Sequence, residues 1–278
     1  MLGAIIGDVA GSYYEVLEVN EVKQKKKRSY EERIKILDSN TPLFTEQSSC
    51  TDDSVLTYSI YAAIKNNDQD YEKYLRFYGN KESRLGNDMY GRSRFGKGFV
   101  DWLQGEYQGI SYGNGAPMRI SPVGFLFDNL EEVKENAYLA TIPSHNHDEA
   151  IKAAEAVAVS IFLLRKGHSK EEVKAYVEDT YYRLNYDLED LRHNYKFTSK
   201  AESSTPQALF CFFESHDFES TIRNAISIGG DTDTIACIAG SLAESAYGVP
   251  EDLKEAVKPY LREYMLDILK KNKVRKKG

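Results

Sequence analysis

Apolar residues recur at helical spacing along most of this chain, and this pattern constrains its fold more than any other feature of the sequence. In residues 231–247 the apolar positions follow one another at alternating intervals of three and one residues, which puts them on one face of an α-helix. They are Ile235, Ile238, Ala239, Leu242, Ala243 and Ala246. Alternating apolar and polar runs, which are typical of half-buried strands, are nearly absent. The sequence therefore predicts an all-α protein.

Further segments carry the same apolar stripe, and local patterns indicate where they begin and end. The segments are residues 53–66, 148–166, 173–184 and 251–271. Ser169 and Glu172 form a capping-box pattern before the third segment. Gly167 supplies a stop after the second, and Pro259 should interrupt the last.

Glycine-rich connections join these helices at residues 95–98 and 112–117. Such stretches are typical of loops held by a rigid scaffold. The sequence contains no internal repeat, low-complexity linker or change of composition that would mark a domain boundary. We therefore expect a single compact orthogonal multi-helix domain over residues 1–270, followed by a basic, disordered tail at residues 271–278.

The charge balance argues against a polyanion as the default partner, because 36 Lys and Arg face 43 Asp and Glu, for a net charge of −7. Two basic runs, residues 23–28 and 270–277, stand against this background. We expect a solvated loop and a frayed tail, with contact to an anionic substrate or nucleic acid as the alternative. No apolar run approaches the ~18 to 20 residues that span a bilayer, and no basic signal segment opens the chain. A cytoplasmic protein that does not enter membranes is expected.

Two short segments combine carboxylates and hydroxyls directly before predicted helices. They are Thr51-Asp52-Asp53-Ser54 and Gly229-Gly230-Asp231-Thr232-Asp233-Thr234. Either segment alone is compatible with helix capping, which Asp and Thr favour. Capping needs one acceptor, however, and converging acids would repel unless cations lay between them. Oxygen ligands of this kind suit Mg²⁺ or Mn²⁺ better than zinc. Capping and a two-metal site both remain open, because the sequence does not show that positions 53 and 231 meet.

The opening segment carries glycines at every fourth position, Gly3, Gly7 and Gly11. Their spacing matches neither the dinucleotide-binding nor the P-loop pattern. A helix that admits a close neighbour explains them better. Asp8 and Glu15, which lie in the same segment, are then left without an explanation.

The histidine pair and one cysteine each have a structural and a functional interpretation. His145 and His147 precede a predicted helix, and either a structural or capping role or substrate hydrogen bonding by His145 fits them. Cys50 lies beside Thr51, but no helix-borne His or Asn partner is apparent, so we do not expect a nucleophile there.

Several segments together resemble the ADP-ribosylglycohydrolase family. They are Gly7-Asp8-Val9-Ala10-Gly11 with Tyr14-Glu15, Thr51-Asp52-Asp53, Ser111-Tyr112-Gly113-Asn114-Gly115-Ala116-Pro117-Met118-Arg119, Ser144-His145, Thr205-Pro206-Gln207-Ala208-Leu209, and Gly229-Gly230-Asp231-Thr232-Asp233-Thr234-Ile235-Ala236. The resemblance covers nearly the whole chain. Its specific motifs are the glycine loop, residues 111–119, and the last segment, residues 229–236. It implies the family's all-α fold with a dinuclear Mg²⁺ or Mn²⁺ centre.

The resemblance also implies roles for individual residues. The metal ligands would be Thr51, Asp52, Asp53, Asp231, Asp233 and Thr234. Glu15 matches a catalytic glutamate on a mobile segment that covers the metals, and Asp53 is the second candidate for proton transfer. The substrate-binding residues would be Tyr112, stacking on adenine; Ser111, Gly113, Asn114 and Gly115, offering backbone amides to the diphosphate; and His145, lining the ADP-ribose groove.

Together these implications describe a monomeric hydrolase that uses two Mg²⁺ (or Mn²⁺) ions to cleave the bond between C1″ of ADP-ribose and an acceptor. The acceptor stays open between a modified protein side chain, nucleic acid and a small molecule. Residues 16–40, which correspond to the part of the family that contacts the leaving group, are long and basic here. The alternative is a catalytically weak ADP-ribose-binding or structural relative. A phosphatase or nuclease is disfavoured by Tyr112 and the glycine loop.

Overall fold

The computed structural model describes residues 1–24, 28–89 and 91–269, and the regular secondary structure of this part is helical. The α-helices are α1 (Leu2–Gln24), α2 (Tyr30–Ile34), α3 (Asp52–Lys65), α4 (Tyr71–Ser83), α5 (Lys97–Leu103), α6 (Ser121–Leu126), α7 (Leu130–His145), α8 (Asp148–Arg165), α9 (Lys170–Thr180), α10 (Leu188–Asn194), α11 (Thr205–Phe213), α12 (Phe218–Ser227), α13 (Thr232–Tyr247) and α14 (Glu251–Val257). Extended pairing among these residues is limited to two isolated bridges, Ile110 with His145 and Gly113 with Lys200. The prediction of an all-α fold is confirmed.

Helix α13 is the centre of the fold, since α1, α8, α11 and α12 all pack against it. Its residues are buried from Thr232 to Ala243, as the apolar stripe in its sequence predicts. Helix α3 packs on α1, α4 and α6, and α7 lies against α8. The amino termini of α3 and α13 are both near α1 in this arrangement, which positions the candidate site.

Helices α1 and α13 run antiparallel with their backbones in contact. A Cβ atom added to Gly3, Gly7 or Gly11 would lie 2.2, 2.0 or 2.4 Å from the carbonyl oxygens of Gly240, Ala236 and Thr232, respectively. No side chain fits at such distances. The prediction that these glycines admit a close neighbour is confirmed.

The predicted helix boundaries agree with the structure for α3 and α8 and differ farther along the chain, where α9 ends at Thr180 instead of continuing to residue 184. Ser169 and Glu172 form the expected capping box of α9, and Gly167 follows α8 with a φ of 94°. Helix α14 ends at Val257 instead of running to residue 271, and the 3₁₀ segments Lys258–Tyr260 and Glu263–Leu269 follow it. Pro259 lies in the first of these and cannot donate the next helical hydrogen bond. The loop expected at residues 95–98 is shorter, because α5 begins at Lys97.

The expectations for the basic segments fall largely outside the described residues. Residues 25–27 and 270–278 are not described, which includes the predicted tail at 271–278. Arg28, the last residue of the first basic run, is buried beside Glu18, with 3.4 Å between its Nη1 and the Glu18 Oε1. The prediction of a solvated loop is therefore wrong for Arg28, because its charge is paired inside the protein. No described helix is both long and apolar enough to cross a membrane.

Replacing Gly7 by alanine should destabilise the protein strongly. The new methyl would collide with the backbone of Ala236 and Cys237, which cannot move without separating α1 from α13. We expect the free energy of unfolding to fall by about 1–3 kcal/mol or more. Gly98→Ala is the matched control, because no atom lies within 4 Å of its new methyl and alanine favours the helix. Equal melting temperatures for the two variants would contradict the close helix contact.

Candidate metal centre and substrate groove

Carboxylates from three helices converge where the amino termini of α3 and α13 meet the middle of α1. Asp8, Asp53 and Asp233 form one group, and Glu15, Asp231 and Asp233 form another. In each group the ligand oxygens lie within 4.8 Å of one another. Positions 53 and 231 thus belong to one site, which the sequence alone did not show.

The amino terminus of α3 is held to α1 by Asp8. Oδ2 of this fully buried carboxylate accepts from the backbone N–H groups of Thr51 and Ser54, each at 3.0 Å, and from the Ser54 hydroxyl. Its Oδ1 accepts from Thr51 Oγ1 at 2.7 Å. These bonds occupy Oδ2, so Asp8 is better suited to orient Thr51 than to bind an ion through that oxygen.

Asp8 is the site residue that the sequence analysis did not assign. It lies seven positions before Glu15 on α1, a spacing of two helical turns that places both acids on one face. That spacing, beside a run of glycines facing α13, is the pattern that would have found it.

The amino terminus of α13 is shaped by two glycines. Gly229 and Gly230 have φ angles of 76° and 77°, in the left-handed region that glycine adopts without strain. The buried Arg33 lies under this turn, and its Nη1 donates to the carbonyl of Ile228 at 2.7 Å. Asp231 follows as the N-cap residue, but its side chain makes no capping hydrogen bond. It accepts instead from Asn114 Nδ2 at 2.8 Å, so capping does not account for Asp231.

Burial and mutual repulsion drive these acids toward their protonated forms. Burial raises the pKa of Asp53 well above its usual value, and the charges of Asp233 and Asp8 raise it further. Burial and the neighbouring Asp231 do the same to the pKa of Asp233. Burial raises the pKa of Asp231 to about 6. Such a cluster is stabilised as carboxylates when a cation lies among them.

One buried carboxylate oxygen without a hydrogen-bond partner indicates that the cluster fits a cation. Oδ1 of Asp53 is buried and has no hydrogen-bond partner among the described residues, and an unpaired carboxylate oxygen inside a protein is costly. The donor set consists of carboxylate and hydroxyl oxygens, which suits Mg²⁺ or Mn²⁺. The positive amino termini of α3 and α13 also favour ionised carboxylates.

The remaining predicted ligands lie at the edge of these two groups. Thr51 is the N-cap of α3, and its hydroxyl also lies 3.2 Å from Asp53 Oδ2. Asp52 is half-buried in the wall of the adjoining cavity, and burial and the charge of Asp233 raise its pKa well above the usual value. The Thr234 hydroxyl lies 3.9 Å from the sulfur of Met118, and the Thr234 backbone N–H donates to Asp233 Oδ1 at 2.9 Å.

Glu15 faces a cavity of about 380 Å³ beside the carboxylates. It lies within the continuous helix α1, whereas the resemblance implied a mobile segment. Its Oε2 accepts from Arg92 Nη1 at 2.5 Å, and Nε of the same arginine donates to Asp88 at 2.8 Å. Burial and the charge of Asp233 raise the pKa of Glu15 to about 7 against the effect of Arg92. Cys50 lines the same cavity with a thiol whose pKa burial raises to about 12, so it is protonated at neutral pH.

A second groove, of about 490 Å³, contains the exposed ring of Tyr112. Tyr112 has 52% of its surface exposed, which is unusual for a large aromatic side chain. Gly113 N already donates to Ser111 Oγ at 3.1 Å, and Asn114 N donates to the carbonyl of Ser199 at 2.8 Å. Both amides therefore already have acceptors within the protein, and their binding of a diphosphate stays a prediction. The amide of Gly115 has no acceptor among the described residues.

The glycine loop connects this groove to the carboxylates. Asn114 is 5% exposed, and its side chain reaches Asp231 from the loop that carries Tyr112. His145, the last residue of α7, lies buried under the same loop, against Gly115. The structure thus brings the predicted metal ligands and the predicted substrate-binding residues to one side of the molecule.

Comparison with known proteins gives the family. The model of the ADP-ribosylglycohydrolase family matches residues 1–277. The chain belongs to the ADP-ribosylglycohydrolase family. A solved structure titled as an ADP-ribosylglycohydrolase-related protein complex shares the fold, with a TM-score of 0.67, 20% sequence identity, and coverage of 96% of this chain and 93% of the other.

Two proteins of similar sequence show how far the similarity extends. The ADP-ribosylarginine hydrolase Tri1 of Pseudomonas putida (strain GB-1) is 23% identical over 268 residues, which cover 90% of this chain and 70% of Tri1. An uncharacterized protein of Archaeoglobus fulgidus is 29% identical over 174 residues, 56% of each chain. The chain thus matches little more than half the length of the Archaeoglobus protein.

The candidate metal centre can be tested by thermal melting. Saturating Mg²⁺ or Mn²⁺ should raise the melting temperature of protein from which a chelator has removed metal. At a hundredfold excess of the ion over Kd, binding adds ~2.7 kcal/mol to the free energy of unfolding. Asp233→Asn should remove most of this response because Asp233 belongs to both carboxylate groups. Without metal it should melt at or above the wild type, since one repelling charge is gone.

Asp217→Asn is the matched control for this experiment. Asp217 is an N-cap of α12 that accepts from Ser220 N, and asparagine caps equally well. It should keep the wild-type response. A wild-type melt that is indifferent to both ions would contradict the metal centre.

Proposed function

We propose that this chain hydrolyses the glycosidic bond between C1″ of ADP-ribose and an acceptor, with two Mg²⁺ or Mn²⁺ ions as cofactors. One observation carries the proposal: the carboxylate cluster and the groove of Tyr112 are joined through the bond between Asn114 and Asp231. A ligand with a base at one end and a ribose at the other would extend from the aromatic ring to the acids. Membership of the ADP-ribosylglycohydrolase family supports the same reaction.

The carboxylates would hold the cations, with hydroxyl oxygens completing the set. The proposed ligands are Thr51, Asp52, Asp53, Asp231, Asp233 and Thr234. When bound, the two cations would neutralise the acids, fix the 2″ and 3″ hydroxyls of the distal ribose and stabilise charge in an oxocarbenium-like transition state. The Thr234 hydroxyl, which donates to Met118 Sδ, keeps its lone pairs for a cation.

Glu15 is the proposed proton-transfer group, with Asp53 as the second candidate. Glu15 lines the cavity, where its carboxylate can accept a proton from the attacking water or, when protonated, give one to the leaving group. Without metal, burial and the charge of Asp233 raise its pKa to about 7, and cations bound beside it would lower that pKa. Asp53 lies deeper and at 2% exposure has little access to a water or a leaving group. Arg92 holds the Glu15 carboxylate at the wall of the cavity, where the acceptor would leave.

The acceptor would lie in the cavity that Glu15 shares with Asp88, Arg92 and Phe95. Tri1 is named for action on ADP-ribosylarginine, so arginine is the first acceptor to assay. The cavity has both acidic and basic side chains, so its charge does not select one acceptor. Serine and nucleic-acid acceptors therefore belong in the same assay.

The reaction itself can be tested with defined substrates. Purified protein, incubated with ADP-ribosylated arginine, serine and DNA in the presence of Mg²⁺ or Mn²⁺, should release free ADP-ribose from at least one, as read by mass spectrometry. Glu15→Gln should lower kcat by ~10²-fold or more and leave ADP-ribose binding within a few-fold. Glu72→Gln, which also removes a carboxylate bonded to an arginine, is the matched control and should not change the rate. Binding of ADP-ribose without release from any substrate would favour a non-catalytic relative.

The aromatic end of the groove gives a second test of the ligand. Tyr112→Ala should weaken ADP-ribose binding at least several-fold, because stacking on a base contributes ~1–3 kcal/mol per contact. Tyr112→Phe keeps the ring face and should have a small effect. Tyr138→Ala, which removes an exposed tyrosine on α7, is the control. If calorimetry shows Phe to be as damaging as Ala, the hydroxyl and not the ring makes the contact.

A further inference from the structure

A buried arginine lies directly behind the glycine loop and contacts no carboxylate among the described residues. Arg119 is fully buried, and its Nη2 donates to the carbonyl of Ala140 at 3.0 Å and to Ser144 Oγ at 2.8 Å. Its Nε and Nη1 are buried without partners. An unpaired guanidinium inside a protein costs stability, so packing alone does not account for it.

The chain of hydrogen bonds continues from Arg119 through Ser144 to His145. Ser144 Oγ lies 2.8 Å from His145 Nδ1. Arginine can only donate hydrogen bonds, so the serine oxygen accepts from Nη2. The serine hydroxyl hydrogen has Nδ1 as its available acceptor, which requires a lone pair on Nδ1. The opposite arrangement, with Nδ1–H donating to the serine oxygen, would leave the hydroxyl hydrogen without an acceptor among the described residues. The proton of the neutral imidazole therefore lies on Nε2.

The Nε2 atom faces the glycine loop. A Cβ atom at Gly115 would lie 2.9 Å from it, and one at Gly113 would lie 3.7 Å away. Nε2 has no acceptor among the described residues, although His145 is only 6% exposed. The bridge between Ile110 and His145 fixes the backbone at this point. A donor held in place against the glycine loop, without a protein acceptor, is available to a ligand.

We propose that Arg119 and Ser144 hold His145 as the Nε2–H tautomer, so that it donates to an anionic oxygen of the ligand lying against Gly113 and Gly115. The inference rests on the proposed function, which makes that oxygen part of ADP-ribose. Arg119 and Ser144 are positioning residues, and the positive charge of Arg119 behind the ring favours an anionic acceptor in front of it.

The protonation state of the ring agrees with this arrangement. Burial and the neighbouring charge of Arg119 hold the pKa of His145 well below its usual value, so the ring stays neutral. A neutral imidazole with Nδ1 occupied by Ser144 has one donor left. Gly115, opposite the ring, leaves room for an oxygen where a side chain would collide with the imidazole.

The tautomer can be measured without any ligand by ¹⁵N NMR of the histidine rings, with the His145 signals assigned by their loss in His145→Gln. The wild type should show a proton on Nε2 of His145. Ser144→Ala should give a mixture of tautomers, because Nδ1 loses its donor. Arg119→Met should do the same by freeing the Ser144 hydroxyl, and it keeps the test available if Ser144→Ala does not fold. Ser160→Ala, which removes another buried helical serine, is the control and should leave the signals unchanged.

Calorimetry with ADP-ribose gives the functional readout. Ser144→Ala should weaken binding about three- to tenfold, as expected for one misaligned hydrogen bond. His145→Gln retains an N–H donor and should bind better than His145→Leu, and Ser160→Ala should bind like the wild type. A wild-type ring protonated on Nδ1, or unchanged affinity in Ser144→Ala, would overturn the inference alone. A wild type that binds no ADP-ribose overturns the proposed function, and with it the ligand assigned to this donor.

Discussion

The backbone contact between α1 and α13 is the constraint on which the rest of the structure depends. Gly3, Gly7 and Gly11 meet Gly240, Ala236 and Thr232 in an antiparallel register. Because Gly11 lies at the first turn of α13, Glu15 on the following turn of α1 lies beside Asp231 and Asp233. A larger residue in this row would move the acids of α1 away from those of α13. The glycines therefore act on the site through geometry alone.

The site concentrates like charges inside a protein whose core is otherwise apolar. Asp8, Asp53 and Asp233 are each at most 5% exposed, and each has a raised pKa for which burial is the main cause. Such a cluster opposes folding when no cation is present. The surrounding helices bury a continuous set of aliphatic and aromatic side chains, which offsets that cost. Bound divalent cations would turn the repulsion into stabilisation, so metal binding and stability are coupled.

The glycine loop is held from several sides, and this explains how a loop can have a defined shape. Asn114 bonds to Asp231, and the carbonyl of Met118 accepts from Thr57 Oγ1 at 3.3 Å and from Cys237 Sγ at 3.2 Å. The loop thus contacts α3 and α13, the two helices whose amino termini carry the acids. A ligand that contacts the loop beside Tyr112 therefore contacts a segment that is hydrogen-bonded to the helices carrying the acids.

The helical fold class, the capping box of α9 and the two carboxylate segments were determined by the sequence itself, because apolar spacing and capping depend on residues a few positions apart. The family motifs are equally local, which is why the resemblance is visible without coordinates. Only the tertiary structure showed that Asp8 belongs with Asp53 and Asp233, and that the amides of Gly113 and Asn114 are already used. It also showed that Arg28 is buried. The Asp8 group and the bond from Asn114 N to the carbonyl of Ser199 depend on partners far away in the chain, and the packing of whole helices selects such partners.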